Sequence, residues 1–528
     1  MKTIALGTVH IEIWGGAGEI GGNQILLRDG EDALLLDFGR SFKRWDMYFT
    51  EFMQPRGVKG LRDLLKLQLI PSIPELYRDL PDDTLFPTNA ERQLIKGSSI
   101  GTLHGVLLSH AHLDHAGAIA YLRSDLPIYT SAESAVILKA TQDTGNSDMD
   151  AEVTYFTPRL PLTDKGILRP EGKEYLRRPY YLLDSASVPE FSARSPAKTK
   201  ALAGAAWQAA RQPVQVGPFK VEALPVDHSI PGALAFLIHT SQGIVAYSGD
   251  IRFHGERAKA SEAFLKRLEQ QPLLALIVEG TRLGQPSETR TEDQVQACIY
   301  DAIAQHPGKP VAIDFATRNI ERMKRCANVA RETQRELVVT AKDAYLLLGL
   351  SELHEAHRDL LSQVRVLQEP KVQSKGWEEL VWEQPTIKPV TTEAIARAPG
   401  DFVLAFGFFE LNRLLDIRLA ANSDNPEGIY IFSNSFWADD EQILNVRILR
   451  NWLRMLNFKL LPDAFNRVAE DGAYDAVDNC FHTSGHASEE DLVRLVQRAA
   501  PEHLIPVHTE KPERWPHLLS GLRTQVHV

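Results

Sequence analysis

The sequence predicts an α/β protein in which one domain is inserted into another. Three observations carry that prediction. Before residue 285, apolar β-type runs end in His, Asp or Glu at four separate places. From about 286 the pattern changes to alternating helices and strands. The His-bearing pattern then returns over 483–508. A sheet whose strand ends carry polar side chains, together with a βαβ unit built on a parallel sheet, is the economical architecture. The expected boundaries are 1–285 for the first part of the outer domain, 286–474 for the inserted domain and 475–528 for the closing part.

At 528 residues the chain exceeds one compact core. With 44% apolar and 24% charged residues, wholesale disorder is excluded. Cys298, Cys326 and Cys480 have no paired spacing, which argues against a disulfide framework and against thiolate metal ligation, and fits a reducing compartment. Residues 1–9 lack the apolar core of a signal peptide, and the longest aliphatic run, 273–278, is far short of a membrane span. A soluble cytoplasmic protein is expected. The net charge of −11 speaks against a protein that coats nucleic acid, but leaves room for an enzyme whose metal ions supply local positive charge.

In chain order, residues 1–40 read as a β-meander. Ile11-Glu12-Ile13-Trp14 precedes a glycine-rich stretch over 15–23, then strands over 24–28 and 33–37 flank Asp29-Gly30. No lysine or helical pattern follows the glycines, so they read as a turn between strands. Asp37 closes the apolar run Leu34-Leu35-Leu36. Residues 41–100 are loop-rich. Val106-Leu107-Leu108 reads as a buried strand ending at Ser109, with a helix beginning over 116–122. Between them lies His110-Ala111-His112-Leu113-Asp114-His115. Three imidazoles and a carboxylate on a strand-to-helix turn can converge on one point and serve two neighbouring metal ions.

Residues 150–212 show no periodicity and read as an insertion. Strands over 221–226, 244–247 and 275–278 end in Asp227-His228-Ser229, Ser248-Gly249-Asp250 and Glu279-Gly280-Thr281. In the inserted domain, helices over 292–305, 318–333 and 441–456 alternate with strands over 310–315, 337–340, 402–406 and 430–433. Ile443, Leu444, Ile448, Trp452 and Met455 fall on a helical period. The chain closes through Thr483-Ser484-Gly485-His486-Ala487-Ser488 and Leu504-Ile505-Pro506-Val507-His508. His104, His239 and His482 lie near these motifs without filling a slot in them.

By these residues the chain resembles the metallo-β-lactamase superfamily and, within it, the β-CASP nucleases of the ribonuclease J type. The superfamily motifs match Asp37, then His110, His112, Asp114 and His115, then His228, then Asp250. The β-CASP signatures match Glu279, His486 and His508. The stretches Gly-Glu-Ile-Gly-Gly-Asn, Val-Asp-His-Ser-Ile-Pro and Ser-Gly-His-Ala-Ser-Glu-Glu point to the ribonuclease J type, as does Pro-Val-His-Thr-Glu. The resemblance implies a metallo-β-lactamase αββα sandwich with an inserted β-CASP α/β domain. It also implies hydrolysis of phosphodiester bonds, foremost in single-stranded RNA, by a hydroxide shared between two metal ions. A small-molecule metallo-hydrolase acting on a lactone, thioester or β-lactam, and a DNA nuclease of the same fold, are the alternatives.

By the same resemblance, His110, His112 and His228 hold one divalent ion. Asp114, His115 and His508 hold the other, and Asp250 bridges. Imidazoles and carboxylates without thiolate suit Zn²⁺, with Mn²⁺ as the alternative. Asp37 and Glu279 fix imidazole tautomers by accepting their distal N–H, and His486, kept off the metals, meets the scissile phosphate or protonates the departing oxygen. Asp114, His486, Glu279 and Asp37 are thus the expected catalytic set. Two departures from the relatives stand out. Ala405-Phe406-Gly407-Phe408-Phe409-Glu410 replaces a glycine-rich segment, and no phosphate-gripping glycine-arginine-serine segment is recognisable. Twenty residues follow His508 where relatives carry a dimer-supporting domain, so monomer and homodimer both stay open.

Expected substrate contacts are Ser484 and His486 with two basic regions. One is the helix after Phe315, with Arg318, Arg322, Lys324, Arg325, Arg331 and Arg335. The other is the 150–212 insertion, where Arg177, Arg178, Lys173, Lys198 and Lys200 interleave with Tyr155, Tyr175, Tyr180 and Trp207. Basic groups pair with phosphates and aromatic faces stack on unpaired bases, so RNA, or single-stranded DNA, is the expected partner. A solvated lid with ordinary charges is the competing reading of the insertion.

Overall fold

The computed structural model describes residues 2–50, 52–78, 100–146, 148–162, 165–285, 290–421, 426–436, 440–471 and 479–528. The chain divides into two compact units. One comprises Met1–Phe253, Arg257–Ser287 and His486–Val528; the other comprises His254–Glu256 and Glu288–Gly485.

The first unit contains two large sheets. In one, strands Lys2–Leu6, Val9–Gly15, Gln24–Asp29 and Asp32–Phe38 form an antiparallel meander. It continues in parallel through Thr102–Leu107, Ile128–Thr130, Tyr180–Leu182 and Gln208–Ala209. In the other, Val214–Val216, Phe219–Pro225, Leu234–Thr240 and Gly243–Tyr247 are antiparallel. Ala275–Val278, His503–Pro506 and Gln525–Val526 extend it in parallel.

Strand side chains alternate between faces, and that alternation builds two layers of core. Ile11, Ile25 and Leu36 of the first sheet meet Val221, Phe236 and Ile505 of the second in one buried cluster. On the second sheet's other face, Ala235, Leu237 and Leu276 pack against Phe264 and Leu265 of helix Ala258–Leu268 and Leu492 and Leu495 of helix Glu489–Ala499. Each such Val, Leu, Ile or Phe side chain contributes about 1.5–3 kcal/mol on burial. Strands apolar on both faces are what sheets covered on both sides require, which is why the central runs read as unbroken Leu, Ile and Val.

The second unit is a seven-stranded, wholly parallel sheet. Its order is Lys388–Thr391, Arg365–Gln368, Glu336–Val339, Phe402–Leu404, Val311–Asp314, Gly428–Phe432, Phe458–Leu461. Helices Glu292–Ala304, Ile320–Glu332, Ala341–Ser351 and Asp440–Met455 lie among its connections.

Several sequence expectations change here. The helix expected over 116–122 is a single turn, Leu113–Ala116, followed by a 3-10 turn, Ile119–Tyr121. Phe38 O captures the Ala118 N–H and diverts the chain. The 150–212 insertion is partly core, because Tyr180–Leu182 and Gln208–Ala209 extend the first sheet and Tyr180 is fully buried. The remainder forms a three-stranded sheet of Ala201–Gly204, Glu174–Arg177 and Tyr155–Phe156, plus a hairpin of Arg159–Leu162 and Ile167–Pro170. Strands of two to four residues are too short to show a period. Arg318 precedes its helix, which starts at Ile320 under an Asn319 cap.

The boundaries expected at 285/286 and 474/475 abut or fall within segments outside the described residues, 286–289 and 472–478. Among the described residues, Phe481 and Thr483 bond to Arg322, Ser433 and Arg290. That ties the stretch up to Gly485 to the second unit. No helix among the described residues is long and apolar enough to cross a membrane.

Candidate metal centre

Strand carboxyl ends deliver most of the site residues of the first unit; Asp114 and His115 sit on the short helix Leu113–Ala116, and His486 precedes helix Glu489–Ala499. Asp37 is the penultimate residue of Asp32–Phe38, and His110 lies three residues past Thr102–Leu107. His228 follows Phe219–Pro225, Asp250 follows Gly243–Tyr247, Glu279 follows Ala275–Val278 and His508 follows His503–Pro506. Parallel pairing of Ala275–Val278 with His503–Pro506 brings His508 back to the first cluster. Its Nε2 stands 3.1 Å from Asp114 Oδ2, across 394 residues of chain. Asp37 and His508 hold φ of 56° and 52°, a left-handed conformation that costs non-glycine residues of order 1–3 kcal/mol and recurs at functional sites.

Two groups of ligand-type atoms result. His110, His112, His228 and Asp250 form one; Asp114, His115, His508 and Asp250 form the other. In the first, His112 Nδ1 is 3.0 Å from His110 Nε2 and 3.1 Å from His228 Nε2. Asp250 Oδ2 belongs to both: it lies 3.6, 3.2, 3.7 and 3.7 Å from ring nitrogens of His110, His115, His228 and His508. A third grouping of Asp250, Glu279, His486 and His508 shares two members with the second.

The donor set fits divalent cations. Imidazole nitrogens at 3 Å repel unless a proton or cation lies between them. Asp250 Oδ1 and His115 Nε2 are buried without hydrogen-bond partners, and such orphans need an explanation. Charge points the same way. Burial favours neutral Asp250, but His115, His508 and His486 overcome it and hold the carboxyl well below its ordinary range. Burial likewise opposes a proton on His115, yet Asp250, Asp114 and Asp37 keep one there far above the usual imidazole range. For His110, burial and then the charge of His115 push the pKa well down. The field therefore favours positive charge at the carboxylates and a neutral, ligating imidazole beside them.

Partners behind the ligands orient them. Asp37 Oδ2 accepts from His115 Nδ1 at 2.7 Å, from Ser109 Oγ at 2.7 Å and from the Tyr247 hydroxyl at 2.5 Å, while Oδ1 accepts from Ser109 N at 2.6 Å. Glu279 accepts from His486 Nδ1 at 2.9 Å, and burial's downward pull on that imidazole is overridden by Glu279 and Asp250, raising it to about 9. The glycine-rich stretch seats Asp114. Asn23 N donates to Asp114 O, and a Cβ on Gly39 would fall 1.6 Å from that same oxygen, so only glycine fits. Glu19 holds the stretch by accepting from Gly16 N, Ser41 Oγ and Arg44 Nη2.

The ten residues His110, His112, Asp114, His115, His228, Asp250, His508, Asp37, Glu279 and His486 thus share one centre. Two expected substrate contacts do not survive. Arg178 is fully buried, with Nε and both terminal nitrogens donating to the carbonyls of Glu152, Arg123 and Ala120. Arg322 is 1% exposed, paired with Glu292 and bonded to Ser433 and Phe481. Both are core arginines, because burying a guanidinium demands a partner for every N–H. Arg177 is half-buried and donates to Ala203 O and Gly204 O. Ser484, whose carbonyl accepts from His254, and Arg318 belong to the second unit. His104, His239 and His482 bond instead to Asp32, Glu222 and Ser435. Thr281, Ser109 and Tyr247 were not legible as site residues, since a hydroxyl's partner is set only by the fold.

Comparison with known proteins agrees with this geometry. Residues 83–284 match the metallo-beta-lactamase superfamily and residues 475–514 match the Zn-dependent metallo-hydrolase RNA specificity domain. Fold and site together define a metallo-β-lactamase-fold protein with a candidate two-ion centre. Within that superfamily the chain is similar to ribonuclease J proteins. It is 23% identical to ribonuclease J of Sinorhizobium meliloti over 80% of this chain and 61% of that one. It is 22% identical to ribonuclease J of Pyrococcus abyssi over 95% of this chain and 90% of the relative. With ribonuclease J of Helicobacter pylori the figures are 21%, 95% and 56%. The match thus spans less than two thirds of two of these relatives. A crystal structure of a protein of unknown function from Enterococcus faecalis V583 shares the fold, with a TM-score of 0.63 and 20% identity over 99% of this chain and 98% of that one.

Proposed function

We propose that this chain is a metal-dependent phosphodiesterase that cuts RNA, single-stranded RNA foremost. The observation that carries the reading is Asp250 Oδ2, faced by ring nitrogens from four histidines of two ligand groups. His110, His112, His228 and Asp250 would hold one ion, and Asp114, His115, His508 and Asp250 the other. Zn²⁺ is the ion the all-imidazole-and-carboxylate set favours, with Mn²⁺ second. When bound, such a pair supplies Lewis-acid polarisation of a phosphate and a water acidic enough to react at neutral pH.

The chain's own residues do the rest. Asp37 holds His115 with Nε2 toward the ligand group. Glu279 takes Nδ1 of His486, which makes Nε2 the nitrogen that meets substrate. Against the pull of burial, Glu279 and Asp250 raise the His486 pKa to about 9, which suits the ring to give a proton to the departing oxygen. Substrate reaches this centre past the insertion's outer sheet, where Lys200 Nζ sits 4.6 Å from the Tyr175 ring and Arg177 lies two residues along the same strand. Cys298, Cys326 and Cys480 form no disulfide, which fits work in the cytoplasm.

The test is cleavage by the purified chain, loaded with Zn²⁺ or Mn²⁺, of linear and circular RNA and DNA, with His112→Ala as control. RNA cleavage that disappears in the variant is expected. If no polynucleotide is cut while a lactone or thioester is, the reading fails.

A further inference from the structure

We propose that Thr281 is a positioning residue for the second ion: its hydroxyl links Glu279 to His508 and decides which nitrogen of His508 faces the ligand group. The inference rests on the two-ion reading above.

The direction of this link follows from counting protons. Glu279 is fully buried, and every group around it donates: Ile251 N at 2.9 Å, Thr281 N at 3.3 Å and His486 Nδ1 at 2.9 Å. Its Oε2 is also 2.6 Å from Thr281 Oγ1. The carboxylate can only accept there, so the single hydroxyl proton of Thr281 points at Glu279. Oγ1 is then an acceptor on its other side, where His508 Nδ1 lies at 2.8 Å. His508 must carry its proton on Nδ1, leaving Nε2 as the ligating nitrogen. That nitrogen is the one 3.1 Å from Asp114 Oδ2 and 3.7 Å from Asp250 Oδ2. The reverse arrangement, with Thr281 donating to His508, would leave two oxygens 2.6 Å apart with no proton between them.

The same device appears once more in this centre. Ser109 Oγ donates to Asp37 at 2.7 Å and stands 3.0 Å from His110 Nδ1. Each group of ligands thus contains one histidine held by a carboxylate through a hydroxyl. Thr281 has a further consequence: the one carboxylate of Glu279 orients His486 directly and His508 through Thr281. Two histidines that arrive on separate segments of the closing part are set by a single buried acid.

The test titrates ions into the metal-free protein and its Thr281→Val and Thr281→Ser variants, against a competing chelator. Wild type is expected to take two Zn²⁺. In Thr281→Val the second is expected to bind about 10–100-fold more weakly, with the first unchanged, because outer partners of metal-bound histidines carry effects of that size. Thr281→Ser keeps the hydroxyl and is expected to restore the second ion. Nitrogen-15 imidazole spectra of zinc-loaded wild type, with His508 assigned by loss of its signal in His508→Asn, are expected to show the proton on Nδ1. This readout needs no Thr281 variant to fold. Undiminished binding of both ions by Thr281→Val, or a bare Nδ1 on His508, overturns the proposal. Failure of wild type to bind a second ion instead overturns the two-ion reading on which it stands.

Discussion

At Asp37 one carboxylate receives four donors, from His115, Tyr247 and both the backbone and hydroxyl of Ser109. Asp37→Asn keeps the size and tolerates the φ of 56°, but its amide N–H groups must face donors. The variant is expected to lose about 2 kcal/mol of stability, the usual consequence of a buried donor left unpaired. Its affinity for the ion held by His115 is expected to fall about 10–100-fold. A denaturation midpoint and a calorimetric titration measure the two separately; wild-type values for both would refute this role. The ligand-type residues were named from sequence through the resemblance, aided by the apolar runs that precede the His110–His115 cluster, His228, Asp250 and His508. Ser109, Tyr247 and Thr281 were not. Nothing in a chain written linearly says that Tyr247 will meet Asp37, 210 residues away.

Among the elements, the parallel sheet of the second unit ends strand Val311–Asp314 on a buried acid. Asp314 accepts from Tyr430 at 2.7 Å and from Asn434 at 2.5 Å. Burial, aided by the charge of Glu410, still lifts it to about 6. A carboxyl raised from 3.8 in the unfolded chain binds its proton more tightly when folded. Its contribution is therefore complete below pH 4 and is lost as pH climbs through 6. Between pH 5 and pH 8 that loss is about 1–2 kcal/mol. Asp314→Asn, which cannot titrate, is expected to gain that much relative to wild type over the same interval in urea midpoints. A constant difference between the two proteins would contradict it. Sequence reading located this strand and its neighbours to within a few residues, because helix and strand periods differ. It misread the turn after the histidine cluster and the short strands of the insertion, where backbone capture by distant groups, such as Phe38 O on Ala118, decides the path.

For the molecule as a whole, a net charge of −11 must be reconciled with the proposed polyanionic substrate. Local basic surface would do so, but the buried Arg178 and Arg322 cannot belong to it. The proposed substrate path keeps Arg177 and Lys200. Reversing both to Glu is expected to weaken RNA binding and to flatten the slope of log affinity against log salt by about 1.4, the value for two lost phosphate contacts on a single strand. An unchanged slope would assign the insertion to a solvated lid. The order of assembly matters as well. The ligand group begun by Asp114 and His115 is finished by His508, 394 residues later than Asp114, and only once strand His503–Pro506 has paired. A ribosome still translating upstream of that point holds a polypeptide with half a reaction centre. Under the two-ion proposal, a chain in which that late pairing has not formed could hold at most one of its two ions.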